Sequence, residues 1–303
     1  MCKIKTFPDI LNVISAARLW KNLPLLFIFL SGSVIGGGGD GLYLLIGVVG
    51  IAFSSAFMTH LNIITDRELD LIDKPHLYKM LSSNKQVMNS ALFIEILITL
   101  FVVFFFLINA YFISGLMILL FTVVAILYSY NFFSKTPQNK RLKVHWLGHF
   151  IILIIGYVSL WAAGFFINGS LNDFYQWLPV FIGISLSEYA LFLFESSIDQ
   201  NAEKKQKLKT LSAMLGREKT TYISIAMALL SLLIILSTLY RGRNTQLISI
   251  SFLPITILIL FFLSVVSYKR LYLKSQTYKV PDLIFNFGRV YILLTATYII
   301  FIQ

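Results

Sequence analysis

The sequence predicts an all-α, polytopic integral membrane protein of about nine transmembrane helices, and three observations carry that reading. The 303 residues are 57% hydrophobic with a mean hydropathy of +0.80, too apolar for a water-soluble domain and too long for one anchored helix. Nine apolar stretches reach spanning length. The basic residues fall almost entirely on alternate connections between those stretches.

The first stretch, 12 to 35, follows Lys3 and Lys5, and no small-residue cleavage site comes after it, so it is read as a retained helix. Gly36 to Gly41 turn the chain into the second, 42 to 64, which runs into an acidic cluster. The third and fourth, 90 to 108 and 110 to 132, are separated only by Asn109. The fifth, 147 to 167, ends on the turn Asn168 to Asn172, and the sixth, 177 to 194, runs into a second acidic cluster. The last three are 220 to 240, 246 to 268 and 287 to 302.

A net charge of +11 would suit a nucleic-acid binder if it covered one soluble face. Instead, all 25 Lys and Arg except Arg241 and Arg243 lie in the N-terminal segment or the even-numbered loops. Topology therefore accounts for the charge, and no nucleic-acid partner is expected. The positive-inside rule puts the N-terminus and those loops in the cytoplasm and the C-terminus outside. The only cysteine, Cys2, excludes an internal disulfide or a thiolate metal site.

Acids are scarce, so their grouping is informative. Asp66, Glu68, Asp70 and Asp73 crowd the second loop, and Glu195, Asp199 and Glu203 the sixth. Asn62, Asp66 and Asp70 are four apart, so a continuing helix projects them from one face. Glu188, Glu195, Asp199 and Glu203 form a second stripe at spacings of seven, four and four. Aligned carboxylates without basic partners repel one another. The cation suited to such hard oxygens is Mg2+, which keeps waters and takes phosphate oxygens. Two facing clusters would hold a diphosphate through Mg2+, with lysines neutralising the remaining charge.

Solvated helix ends are the plainer reading of either cluster alone. Two clusters on one side, both in phase with a helix and both followed by lysine, outweigh it. His145 and His149 have the spacing of a metal pair but no third ligand accompanies them, so an interfacial helix face is expected. Gly36 to Gly39 lack a following Lys-Ser/Thr and read as a turn, not a phosphate loop. Glu188 lies inside the sixth stretch, where a carboxylate is costly, and is placed near a reaction chamber as a substrate-binding residue. The other acids are expected at helix ends.

The first cluster reads Asn62-Ile63-Ile64-Thr65-Asp66-Arg67-Glu68-Leu69-Asp70, then Lys74-Pro75 and Lys79-Met80-Leu81-Ser82-Ser83-Asn84. It resembles the aspartate-rich motif of the UbiA superfamily of intramembrane prenyltransferases. Asp199 and Glu203, followed by Thr210-Leu211-Ser212-Ala213-Met214-Leu215-Gly216, resemble that family's second motif, and Tyr128-Ser129 ahead of Lys135, Lys140 and Arg141 also looks like it. The resemblance covers essentially the whole chain. Departures are Ile63 and Glu203 for aspartates, Lys79-Met80 for Arg-Pro, and Lys207 for a common Gly. Glu203 still reaches a metal, whereas Ile63 does not.

The resemblance implies one transmembrane domain over residues 1–303, built around a central chamber. It also implies Mg2+-dependent transfer of an isoprenoid chain from a polyprenyl diphosphate to a hydrophobic or amphipathic acceptor in the lipid bilayer. Asn62, Asp66 and Asp70 would hold one Mg2+, and Asp199 and Glu203 the other, with Glu195 in support. Lys79 and one of Lys135, Lys140 or Arg141 would contact the diphosphate, making Asp66, Asp70, Asp199 and Lys79 the catalytic set. Arg18, Lys21 and Asn22 would face the acceptor. Aromatic quinone precursors, glycerol-phosphate lipids and tetrapyrroles all serve as acceptors in the superfamily. Arg18-Leu19-Trp20-Lys21-Asn22 also looks like the branch that transfers phosphoribose to a polyprenyl phosphate. A transporter, or a non-catalytic member of the fold, is the reading from a different class.

Overall fold

The structure, a computed structural model, describes residues 19–65, 85–129, 145–196, 200–205 and 208–242. Every regular element among them is helical: α1 Leu19–Ile35, α2 Gly41–Thr65, α3 Lys85–Ile108, α4 Phe112–Ser129, α5 Trp146–Phe165, α6 Leu171–Ser196, α7 Gln200–Lys205, α8 Leu211–Leu215 and α9 Arg217–Gly242. Among the described residues, α2, α3, α4, α5, α6 and α9 are long and apolar enough to cross a membrane, and α1 adds a shorter apolar stretch, Asn22–Ile35. Each of the first seven predicted spans thus has its helix. The stretches 246 to 268 and 287 to 302 lie outside the described residues.

Local chemistry sets the helix boundaries. The Asp40 carboxylate accepts from the Leu42 amide at 2.8 Å and starts α2, after Gly37 and Gly38 have turned the chain at φ of +100° and +81°. Asn109 reverses α3 into α4, its side-chain amide donating back to the Phe105 carbonyl at 2.8 Å. Helix α6 begins at Leu171, earlier than the expected 177, because Ser170 and Asp173 form a reciprocal cap. Asn172, Asp173 and Gln176 interrupt the apolar signal over these first turns, so hydropathy alone starts the helix too late.

Helix α5 is the hub, packed on α1, α4 and α6, while α2 bridges α1, α3 and α4, and α9 lies along α6. Every residue from Ser159 to Phe165 is buried, and Trp161 stacks on Phe181 of α6 with ring centres 5.0 Å apart. Backbones of α1 and α5 nearly touch. A Cβ on Gly32 would lie 2.3 Å from the Trp161 carbonyl oxygen, and one on Gly164 would lie 1.9 Å from that of Phe29. Small residues admit this approach, which supplies packing where lipid offers no hydrophobic drive between helices. Backbone cannot rotate aside, so Gly164→Val is expected to cost about 3 kcal/mol. Thermal melting in detergent checks this; an unshifted midpoint would contradict the close approach.

The α6–α9 contact is closed by hydroxyls. Ser224 donates to the Ala190 carbonyl and Ser231 to that of Gly183, both at 2.6 Å. Across the other seam, Ser54 of α2 meets Thr122 of α4 at 3.0 Å. Such bonds average about 0.6 kcal/mol each in a bilayer, enough to set register but not to hold a bundle alone.

Candidate functional site

Both acidic motifs start from one end of the bundle, hereafter the motif end, where α2 and α6 finish at Thr65 and Ser196 and α9 starts at Arg217. Asp66, Asp70, Lys79, Lys135, Lys140, Arg141, Asp199 and Arg18 lie outside the described residues. Glu195 is on the last turn of α6, with only its backbone described. Asn22, Asn62, Glu188 and Glu203 are described in full.

Asn62 is tied to Ser129, the last residue of α4, whose hydroxyl donates to the Asn62 amide oxygen at 2.5 Å. This joins the first acidic motif to the Tyr128-Ser129 pair, which are far apart in sequence. Asn22 is buried between α1 and α2, its amide donating to the Ser55 carbonyl at 3.3 Å and to the Thr59 hydroxyl at 3.1 Å. In this position it fixes the α1–α2 contact.

Glu188 is 1% exposed and accepts from the Tyr157 hydroxyl of α5 at 2.9 Å. It lies two helical turns, about 12 Å, inside the motif end of α6. A buried carboxylate requires hydrogen bonding, and removing the donor should cost about 1–3 kcal/mol. Tyr157→Phe is therefore expected to lower the melting midpoint in detergent, while an unchanged midpoint would mean that the bond carries no weight. Nothing in the residue pattern singles out Tyr157 among 15 tyrosines.

Glu203 is 9% exposed. Its Oε2 accepts from Thr210 at 2.6 Å and also from Ser212. Ser212 bonds in turn to Ser196 at the end of α6, at 2.8 Å, and Thr210 caps α8 by accepting from the Ala213 amide. The trailing Thr-Leu-Ser segment thus folds back over the second motif.

Sequence reasoning missed a second carboxylate inside a span. Glu95 of α3 is buried and meets His60 of α2, its two oxygens 2.8 and 3.0 Å from Nδ1. This corrects the expectation that Glu188 alone lies away from the helix ends. The contact has ion-pair geometry, and it is charged when His60 is protonated. His60 and Asn62 are about 200° apart around α2, so Asn62 faces α4 while His60 faces α3. The signal was present, since an acid inside an apolar run needs a partner.

His149 is wedged among aromatic rings. Its Nε2 is 3.4 Å from the Tyr128 hydroxyl, and its ring packs edge-on against Tyr189 and Phe192. Among the described residues no three His, Cys, Asp or Glu side chains gather to hold a metal. The described donors at the motifs, the Asn62 amide oxygen and the Glu203 carboxylate, are nevertheless hard oxygens of the kind Mg2+ takes.

No curated protein matches the sequence. Solved structures share the fold. One is a UbiA homolog from Archaeoglobus fulgidus bound to GPP and Mg2+, 17% identical, with a TM-score of 0.70 over 96% of this chain and 99% of that one. Another is an apo UbiA homolog from Aeropyrum pernix, 13% identical, with a TM-score of 0.67 over 91% of this chain and 96% of that one. A digeranylgeranylglyceryl phosphate synthase is 19% identical, with a TM-score of 0.64 over 96% of each chain. The model of the UbiA prenyltransferase family matches residues 25–287. A match over that much of an all-helical membrane chain means that this protein belongs to the UbiA prenyltransferase family.

Proposed function

We propose that the protein transfers an isoprenoid chain from a polyprenyl diphosphate to a small aromatic or lipid-like acceptor within the membrane, with Mg2+ as cofactor. The observation that supports this most is the bond between Asn62 and Ser129 at the end of the bundle from which both acidic motifs emerge. It ties the first motif to the segment that leads into Lys135, Lys140 and Arg141.

Asp66 and Asp70 with Asn62, and Asp199 and Glu203 with Glu195, bind and orient the cofactor. When bound there, Mg2+ would supply charge neutralisation for the diphosphate leaving group. Lys79 and one of Lys135, Lys140 or Arg141 contact the diphosphate oxygens. As the allylic C–O bond breaks, the diphosphate leaves with the electron pair, and the resulting cation is captured by the acceptor's nucleophile, which gives up a proton. The apolar helices hold the tail and exclude water, the competing nucleophile. Arg18 and Asn22 border the acceptor side, and Glu188, fixed by Tyr157, binds substrate deeper in the bundle. The motif end faces the cytoplasm, a reading that the distribution of Lys and Arg supports.

The test is chain transfer by purified protein in lipid nanodiscs, using labelled farnesyl and geranylgeranyl diphosphates with a panel of aromatic and glycerol-phosphate acceptors. Mg2+-dependent labelling of one acceptor class is expected. Transfer of phosphoribose from phosphoribosyl diphosphate to a polyprenyl phosphate, with no prenyl transfer, would replace this reading.

A further inference from the structure

We infer that Thr210 and Ser212 are positioning residues that set the geometry of the second acidic motif by holding Glu203 through its Oε2. The inference rests on the proposed role of Glu203 as a ligand of the Mg2+–diphosphate unit.

Both hydroxyls converge on the same carboxylate oxygen, Thr210 at 2.6 Å and Ser212 at a short contact, in a place where Glu203 is 9% and Ser212 0% exposed. Each hydroxyl is itself anchored. Thr210 accepts from the Ala213 amide at 3.2 Å and starts α8. Ser212 is shared with Ser196 at 2.8 Å and lies 3.2 Å from Thr210. One carboxylate therefore links the end of α6, α7 and α8, with Asp199 in the connection between α6 and α7.

Glutamate has one methylene more than aspartate, and with it an extra rotatable bond that blurs the position of a ligating oxygen. Fixing Oε2 from two sides removes that freedom. A carboxylate so fixed would meet a cation in one set orientation, as the strict coordination geometry of Mg2+ demands. Hydrogen-bond partners of ligating carboxylates typically account for 10–100-fold in metal affinity.

The probe is Mn2+ with inorganic pyrophosphate, titrated onto the full chain in detergent and followed by the electron paramagnetic resonance signal of free Mn2+. Thr210→Val and Ser212→Ala are each expected to weaken pyrophosphate-dependent Mn2+ binding by about tenfold. Thr210→Ser, which keeps the hydroxyl, should stay within about threefold of the parent, a rescue that rests on the same hydroxyl bond. Melting midpoints identify any variant that fails to fold, and the Thr210→Val and Thr210→Ser pair keeps the test open should Ser212→Ala do so. Unchanged binding in Thr210→Val and Ser212→Ala, with loss in Glu203→Ala, would overturn the positioning role. Unchanged binding in all three, with loss in Asp66→Ala and Asp199→Ala, would make Glu203 a structural tie only. If the parent chain showed no pyrophosphate-dependent Mn2+ site, the functional reading itself would fall.

Discussion

Asp66→Ala and Asp199→Ala should each lower kcat/KM for prenyl transfer by about a thousandfold, while both proteins remain folded. In the proposed mechanism, each variant removes a carboxylate from one side of the diphosphate-binding centre. Stabilisation of leaving-group charge at such a centre is worth several kcal/mol, and about 4 kcal/mol corresponds to a thousandfold in rate. Both positions lie outside the described residues, whose helical core packs through Phe29, Leu160, Trp161 and Phe181. Melting midpoints close to the parent's should therefore accompany the loss of rate. Single-turnover measurement at saturating Mg2+ and donor separates lost chemistry from lost binding. Activity within tenfold of the parent in both variants would remove the acidic motifs from the mechanism.

Glu95→Leu should destabilise the protein by about 3–5 kcal/mol, because it leaves His60 buried between α2 and α3 without its carboxylate. His60 is 1% exposed, so no water replaces the lost partner cheaply. Replacing both residues, His60→Leu with Glu95→Leu, should recover most of that loss, since a buried ion pair is commonly no better than an apolar pair of similar volume. Chemical denaturation of the single and double variants in mixed micelles measures the coupling. Additive losses would mean that the two side chains act independently despite their 2.8 Å contact.

Hydropathy and charge were enough to locate seven helices, because a bilayer leaves an apolar backbone few alternatives to the α-helix. The turn at Asn109 was visible for the same reason: one polar residue between two apolar runs has to break them. What the pattern does not encode is which helices touch. Gly32, Gly36 and Gly164 look unremarkable along the chain, and only the α1–α5 approach shows why a side chain is excluded there. The motif residues were legible by type and spacing, but their contacts were not. Ser129, Thr210 and Ser212 stand in segments that carry the resemblance, yet their bonds to Asn62 and Glu203 join residues distant along the chain or across a loop. Glu95 is a different case. It was available to the same argument that singled out Glu188, and its partner His60 lies within the neighbouring apolar run.

The most direct test of the central claim is Mg2+-dependent release of diphosphate from farnesyl and geranylgeranyl diphosphates by the purified protein, followed with and without acceptors. The account predicts release that requires Mg2+ and accelerates with one acceptor class. Failure to release diphosphate from any prenyl donor, by protein that is folded and reconstituted in lipid, would contradict it.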